Sequence, residues 1–248
     1  MNILIIMKKE LLAYILSPTI YAVITIFMVL SSYFFYTDLS FYNTMNIAGT
    51  ANPVEGLFQF YFNDLRFILM LIMPFLTMRL LSEEKKQKTL ELLCSYPIRD
   101  SEILAGKFLS CFLVYLFMIF LTLINVIYIC LQWGFEGFQP LLAGYLGLSL
   151  LGLCLISCGL FISSLTEKQI VAGMGTLGIF VLFWFLTWNE MMAGEKLINF
   201  LTRLSLFDRL EFFFKGVIDT QDLVFFSIFI IIFICFTLFS MKSRKLEV

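Results

Sequence analysis

The chain of 248 residues contains no histidine. That absence removes imidazole acid–base catalysis, His-activated nucleophiles and His metal sites together. Charge is scarce too: Asp, Glu, Lys and Arg make up 14% of residues against 60% hydrophobic, and mean hydropathy is +0.94. A soluble domain carries about a quarter charged residues, so these are too few to cover a water-facing surface. No basic tract for nucleic acid is present, and a net charge of −1 names no partner. No G-x-x-x-x-G-K-[ST] run is present to cradle phosphates, so this chain is not expected to hydrolyse ATP. The six cysteines form no CxxC pair. Cys154 and Cys158 share a helix face and read as packing residues rather than a metal or disulfide site.

What the sequence does have is long apolar runs. Six segments satisfy the length of about 20 residues that a bilayer requires: 17–37, 63–81, 103–133, 141–165, 170–188 and 223–241. The second is the weakest, because Arg79 must snorkel or pair for it to span. The third and fourth exceed the hydrocarbon core. The expected fold is therefore all-α: a polytopic membrane protein of six spans, with 1–248 as a single membrane domain. Lys8 and Lys9 follow an apolar start, and no small-residue cleavage site precedes the first long run, so that span is expected to be retained.

Loop charge orients the spans. Twelve Lys and Arg residues fall on the face with both termini, and five (Arg66, Lys196, Arg203, Arg209, Lys215) on the other. Both termini and the 82–102 loop are thus expected to be cytoplasmic. The outer face has two segments, a polar one over 38–62 that contains NIAGTANP (46–53) as its expected loop, and an aromatic, amphipathic one over 189–222. Within the latter, LINFLTRLSLFDRLEFFFKGVID (197–219) reads as two short helices at the outer interface, the second ended by Gly216. ILIIMKKELLAYIL (3–16) is an amphipathic helix with Lys8, Lys9 and Glu10 on its wet side. It either lies in the inner interface or extends the first span, and Pro18 bends the chain after it.

The densest block of charge is SEEKKQKTLELLCSYPIRDSE (82–102). Ser82 is placed to cap a helix, with Glu83 and Glu84 in its first turn and Glu84 paired with Lys88. Leu90, Leu93 and Pro97 share one side, and Pro97 stops the helix. Asp100 is placed to cap the next, with Glu102 in its first turn. So short a helix is marginal alone, and its apolar face calls for a cytoplasmic partner protein. Arg79, four and five residues before Glu83 and Glu84, is placed to pair with them and make a rigid joint between the second span and this helix. Glycines in the fourth and fifth spans (Gly147, Gly152, Gly159; Gly173, Gly175, Gly178) mark closely packed helices, at a subunit interface or within the chain. No Lys, Arg or carboxylate pair marks mid-membrane, which argues against a proton- or sodium-driven carrier and against an intramembrane hydrolase. The energy must come from elsewhere, and the pattern fits the membrane half of a nucleotide-driven machine.

Four stretches carry a resemblance: KKELLAYILSPTIYAVITIF (8–27), PFLTMRLLSEEKKQKTLELLCSYPI (74–98), LFDRLEFFFKGVIDTQDL (206–223) and MKSRK (241–245). In that order the chain resembles the membrane subunits of type-2 ABC transporters, of the type V exporter fold. It is most similar to the branch holding the gliding-motility and nitrous-oxide-reductase accessory permeases. The resemblance implies a permease subunit in the bacterial inner membrane. Glu83, Glu84, Thr89, Leu90, Glu91, Leu92, Leu93 and Pro97 would form the coupling helix that docks in an ATP-binding subunit, with Lys88 standing where the family often has glycine. Phe207, Phe212, Phe213 and Gly216 would belong to outer re-entrant helices, and the first segment would be an interfacial elbow helix. The implied partners are two copies of an ATP-binding cassette subunit, which hold the ATP and Mg2+, and a second permease copy or paralogue. Membrane lipid surrounds the pair, and this chain itself binds no cofactor. Two functions fit: ATP-driven export, or transmission of ATPase-driven movement to a periplasmic or envelope partner without solute transport.

Overall fold

The computed structural model describes residues 2–45, 53–87, 99–133, 138–188 and 205–245. Every regular element among them is an α-helix: α1 Asn2–Leu16, α2 Pro18–Met45, α3 Pro53–Thr77, α4 Ser82–Lys86, α5 Asp100–Trp133, α6 Phe138–Leu165, α7 Gln169–Trp188, α8 Asp208–Phe214 and α9 Thr220–Lys245. Five of these, α2, α3, α5, α6 and α9, are long and apolar enough to cross a membrane, and α7 is a shorter apolar helix. At 1.5 Å per residue α5 extends about 50 Å, well beyond a hydrocarbon core of about 30 Å. Its charged residues, Asp100, Glu102 and Lys107, all fall within its first eight positions.

The helices extend past the expected span ends at 37 and 63: α2 continues to Met45 and α3 already begins at Pro53, while 46–52 of the expected loop lie outside the described residues. The reason is visible in the side chains. Leu57, Phe58, Tyr61, Phe62 and Leu65 recur at helical spacing, and all are buried. The weak-looking second span is in fact interior. Sixty-seven per cent of its apolar window is buried within the chain, and 72% of the window in α6, against 22% in α2 and 17% in α9. A helix shielded by protein rather than lipid can carry polar groups that lower its hydropathy. Outward residues such as Ile26 and Val29 of α2, Phe120 of α5 and Ile231 and Phe239 of α9 are left for lipid.

α6 is the central post, in contact with α3, α4, α5, α7, α8 and α9. Its glycines decide the alternative raised above. A Cβ at Gly152 would lie 2.2 Å from the Tyr115 ring of α5, and one at Gly159 would lie 2.3 Å from Thr77 Oγ1 of α3. These positions let neighbouring helices of the same chain approach the backbone. Gly178 of α7 has nothing within 4 Å of its would-be Cβ. Side-chain bonds add to the packing: Tyr61 hydroxyl pairs with Ser31 Oγ (2.7 Å) and accepts from Asn125 Nδ2 (2.8 Å), joining α2, α3 and α5. Tyr115 hydroxyl donates to the Leu148 carbonyl at 2.5 Å. Cys154 and Cys158 are buried free thiols in α6, as packing residues would be, with Cys154 Sγ 3.8 Å from the Phe226 carbonyl.

Candidate functional site

Among the described residues, one cluster of polar contacts lies where α3 gives way to α4. Pro74 lies in the last turn of α3, and the helix ends at Thr77 in a turn over 78–81. The amide groups at the start of α4 need acceptors from outside the helix. Ser82 does not supply one. Its hydroxyl instead turns back to the Met78 carbonyl, and α4 has no side-chain cap of its own. The expectation that Ser82 caps this helix is therefore corrected, since a bond to the preceding turn uses the same hydroxyl. The acceptor comes from α6: Ser163 Oγ lies 3.0 Å from both Leu81 N and Ser82 N. Ser163 is fully buried, so water does not compete. The adjacent Ser164 carbonyl accepts from Lys85 Nζ and from Ser240 Oγ of α9 (3.5 Å).

Arg79 occupies the turn. Its Nε is 3.3 Å from Glu83 Oε2, and its Nη1 donates to Ser17 Oγ at 2.6 Å and to Thr19 Oγ1. Ser17 is the single non-helical residue between α1 and α2. Pro18 then opens α2, at a position where the missing N–H does no harm. The arginine thus ties the turn after α3 to the break before α2. Tyr14 hydroxyl donates to the Leu76 carbonyl (3.1 Å). Burial pushes its phenol well above the ordinary range, which keeps it a donor.

Glu84 turns the other way, to Lys107 of α5. Lys107 Nζ lies 2.9 Å from Glu84 Oε1 and 3.0 Å from Glu10 Oε1 of α1. The lysine side chain is 2% exposed. Local sequence explains the meeting. A Cβ at Gly106 would lie 2.7 Å from Ile6 Cγ2, so the glycine lets α1 lie directly on α5. One turn after Ile6 comes Glu10, and one residue after Gly106 comes Lys107. Glu10 therefore does not share the exposed side of α1 with Lys8 and Lys9, as its spacing predicts; a buried lysine opposite draws it inward. The two ion systems differ in weight. Arg79–Glu83 is about one-third exposed, and such pairs contribute roughly 0–1 kcal/mol. Removing the cation from the buried Lys107 cluster would leave two carboxylates facing each other, a loss on the order of 3–5 kcal/mol.

At the start of α5, Asp100 is the first helical residue and Arg99 takes the capping position. Glu102 Oε2 accepts from Arg99 N at 3.2 Å, half of a capping box. Thr89, Leu90, Glu91, Leu92, Leu93 and Pro97, with Lys88, lie outside the described residues.

The opposite end has a second polar assembly. Of the expected helix pair, the first (197–204) lies outside the described residues and the second is α8. Phe207 and Phe213 are buried and Phe212 is exposed. Gly216 does end this helix: its φ is +83°, its N–H donates to Phe213 O (3.0 Å), and Val217 N–H donates to Phe212 O (2.9 Å). That pair of bonds around a left-handed residue is a Schellman motif. Two arginines hold the segment. Arg66 Nη1 of α3 donates to the Phe207 carbonyl at 2.8 Å, and Arg209 Nη1 of α8 lies 2.5 Å from Asp222 Oδ1 of α9.

Sequence reasoning missed Lys107, Glu10, Ser163 and Arg66. A lysine embedded in the apolar run AGKFL was the one available signal. The others depend on which helices become neighbours.

The fold and the ion-tied joint define a polytopic membrane subunit with a short polar helix fastened to its bundle. The chain matches the family model described as ABC-2 family transporter protein over residues 36–207, more than half its length. It belongs to the ABC-2 transporter family. It is thus a membrane permease subunit of an ABC transporter, the part that does not hydrolyse ATP, and an ATP-binding cassette protein is its implied partner. No curated protein matches the chain.

Proposed function

We propose that this permease is an exporter subunit, of the branch that holds the gliding-motility and nitrous-oxide-reductase accessory permeases. On this reading it has six spans, α7 included, in a single domain with both termini in the cytoplasm of a bacterium. Two copies, or one copy and a paralogue, pair in the inner membrane and bind two ATP-binding subunits, which hold ATP and Mg2+. Residues 82–98 are the coupling helix. Glu83, Glu84, Thr89, Leu90, Glu91, Leu92, Leu93 and Pro97 make or shape the contact, and Arg79 is the joint to the second span. Phe207, Phe212, Phe213 and Gly216 belong to the outer re-entrant segment. Closure of the cassettes on ATP moves the coupling helices, and the spans follow into a state of different access.

One observation carries this reading. The first turn of the charged segment is fastened to α1, α5 and α6 by Lys107 and Ser163, so a push on it is passed to the bundle rather than absorbed by a free loop. Co-purification tests it: Leu90→Asp with Leu93→Asp should leave the protein inserted and detach the ATPase. An intact complex carrying both changes would sink the docking assignment.

The second reading, movement passed to an envelope partner with no solute, is favoured by α3. That helix leads from the joint to Arg66 and its bond with the Phe207 carbonyl, a solid link between the two ends. ATPase activity in liposomes that responds only to an outer protein, with no flux, would select it.

A further inference from the structure

We infer that Lys107 is a positioning residue that makes α1 a second receiving arm: through it, movement of the 82–87 segment is imposed on α1 and so on α2. The inference rests on the proposed coupling role of that segment.

The geometry is asymmetric in a useful way. One ammonium with three N–H donors serves two carboxylates, Glu84 of α4 and Glu10 of α1, at 2.9 and 3.0 Å. The carboxylates repel each other, and the lysine between them turns that repulsion into a link. Because the lysine side chain is 2% exposed, solvent screening is weak and drawing either carboxylate away from the ammonium is costly. The link is therefore stiff against pulling, unlike the one-third-exposed Arg79–Glu83 pair.

α1 is fixed to the same region by two further bonds, Tyr14 hydroxyl to the Leu76 carbonyl and Arg79 to Ser17. The chain passes from α1 into α2 through Ser17 alone. A displacement of Glu84 thus has a continuous route into α2 that bypasses the α2–α3 packing surface. Gly106 supports the same assignment, because the close seating of Ile6 on α5 brings Glu10 within reach of the lysine.

The test uses the full permease with its ATPase in nanodiscs, with bioorthogonal fluorophores at Ala13 of α1 and Ser243 of α9, both exposed. Wild type should show an ATP-dependent change in energy transfer. Lys107→Met removes the cation from both arms at once and risks misfolding, so the informative variant is Glu10→Met, which releases the α1 arm and leaves the Lys107–Glu84 pair in place. It should assemble, hydrolyse ATP with a KM for ATP within about twofold of wild type, and lose the ATP-dependent change at α1. Lys107→Arg should retain it. A Glu10→Met variant whose α1 moves as wild type does overturns this inference alone. A wild-type chain that brings down no ATPase overturns the proposed function and this inference with it.

Discussion

Ser163 caps a helix to which it does not belong: its Oγ lies 3.0 Å from Ser82 N, across 81 residues of sequence, and equally close to Leu81 N. Ser163→Ala therefore leaves two buried amides without an acceptor. The expected loss is about 1–3 kcal/mol. Ser82→Ala removes one hydroxyl that folds back on the Met78 carbonyl and should lose less than about 1 kcal/mol. Thermal unfolding of the two variants in the same detergent should rank them in that order. Equal transitions would mean that Ser163 is only a packing residue.

The difference between those serines marks how far the sequence could be read. Hydropathy and the bilayer's length requirement expose the long helices, because lipid imposes one rule on every span. The Arg79–Glu83 pair is also legible, since four residues is one helical turn. Beyond one turn the signal fades. Glu10 and Lys107 are 97 residues apart, and nothing in either neighbourhood names the other. Tyr61 and Phe62 read as part of the outer segment because a protein-facing helix need not be uniformly greasy, and α3 begins ten residues before the expected span. The glycines of α6 are visible in the sequence, but whether they face a sister helix or a sister subunit is decided only by packing.

Two ion systems meet at the joint, and burial ranks them. Glu83→Gln breaks a partly exposed pair and should change stability by less than about 1 kcal/mol, less still in high salt. Lys107→Met should lose about 3–5 kcal/mol, because Glu10 and Glu84 are left buried and mutually repelling. Restoring neutrality with E10Q and E84Q should recover much of that loss. Chemical unfolding followed by tryptophan fluorescence would check the ranking, and K107M as mild as E83Q would contradict it.

The glycines permit a comparison within one chain. Gly152→Ala drives a methyl into the Tyr115 ring at 2.2 Å, while that ring is held by a bond to the Leu148 carbonyl. Overpacking of this kind costs about 1–3 kcal/mol. Gly178→Ala meets nothing within 4 Å and should be neutral, or stabilising by up to about 1 kcal/mol from helix propensity. Thermal shift assays should separate the pair. If G178A instead dissociates the proposed pair on size-exclusion chromatography, Gly178 of α7 faces a second copy.

Arg66 gives α3 its second handle. Its Nη1 bonds the Phe207 carbonyl at 2.8 Å, and its guanidinium lies 5.6 Å from the Phe207 ring centroid. Phe207 immediately precedes α8, and its carbonyl also accepts the Leu210 amide (3.3 Å). Arg66→Met keeps much of the side chain's apolar bulk and removes the charge-assisted bond, worth about 1.5–3 kcal/mol. Local opening of the segment should then become easier by about tenfold or more, since 1.4 kcal/mol is a factor of ten. Amide exchange should rise at Leu210 and at Val217, whose N–H closes the Schellman motif, while amides in the middle of α6 keep their protection. Uniformly faster exchange across the whole chain would indicate global destabilisation instead, and Arg66 would then be part of the general packing. Confined to residues 207–217, the increase would identify Arg66 as the residue through which α3 grips the far-end segment.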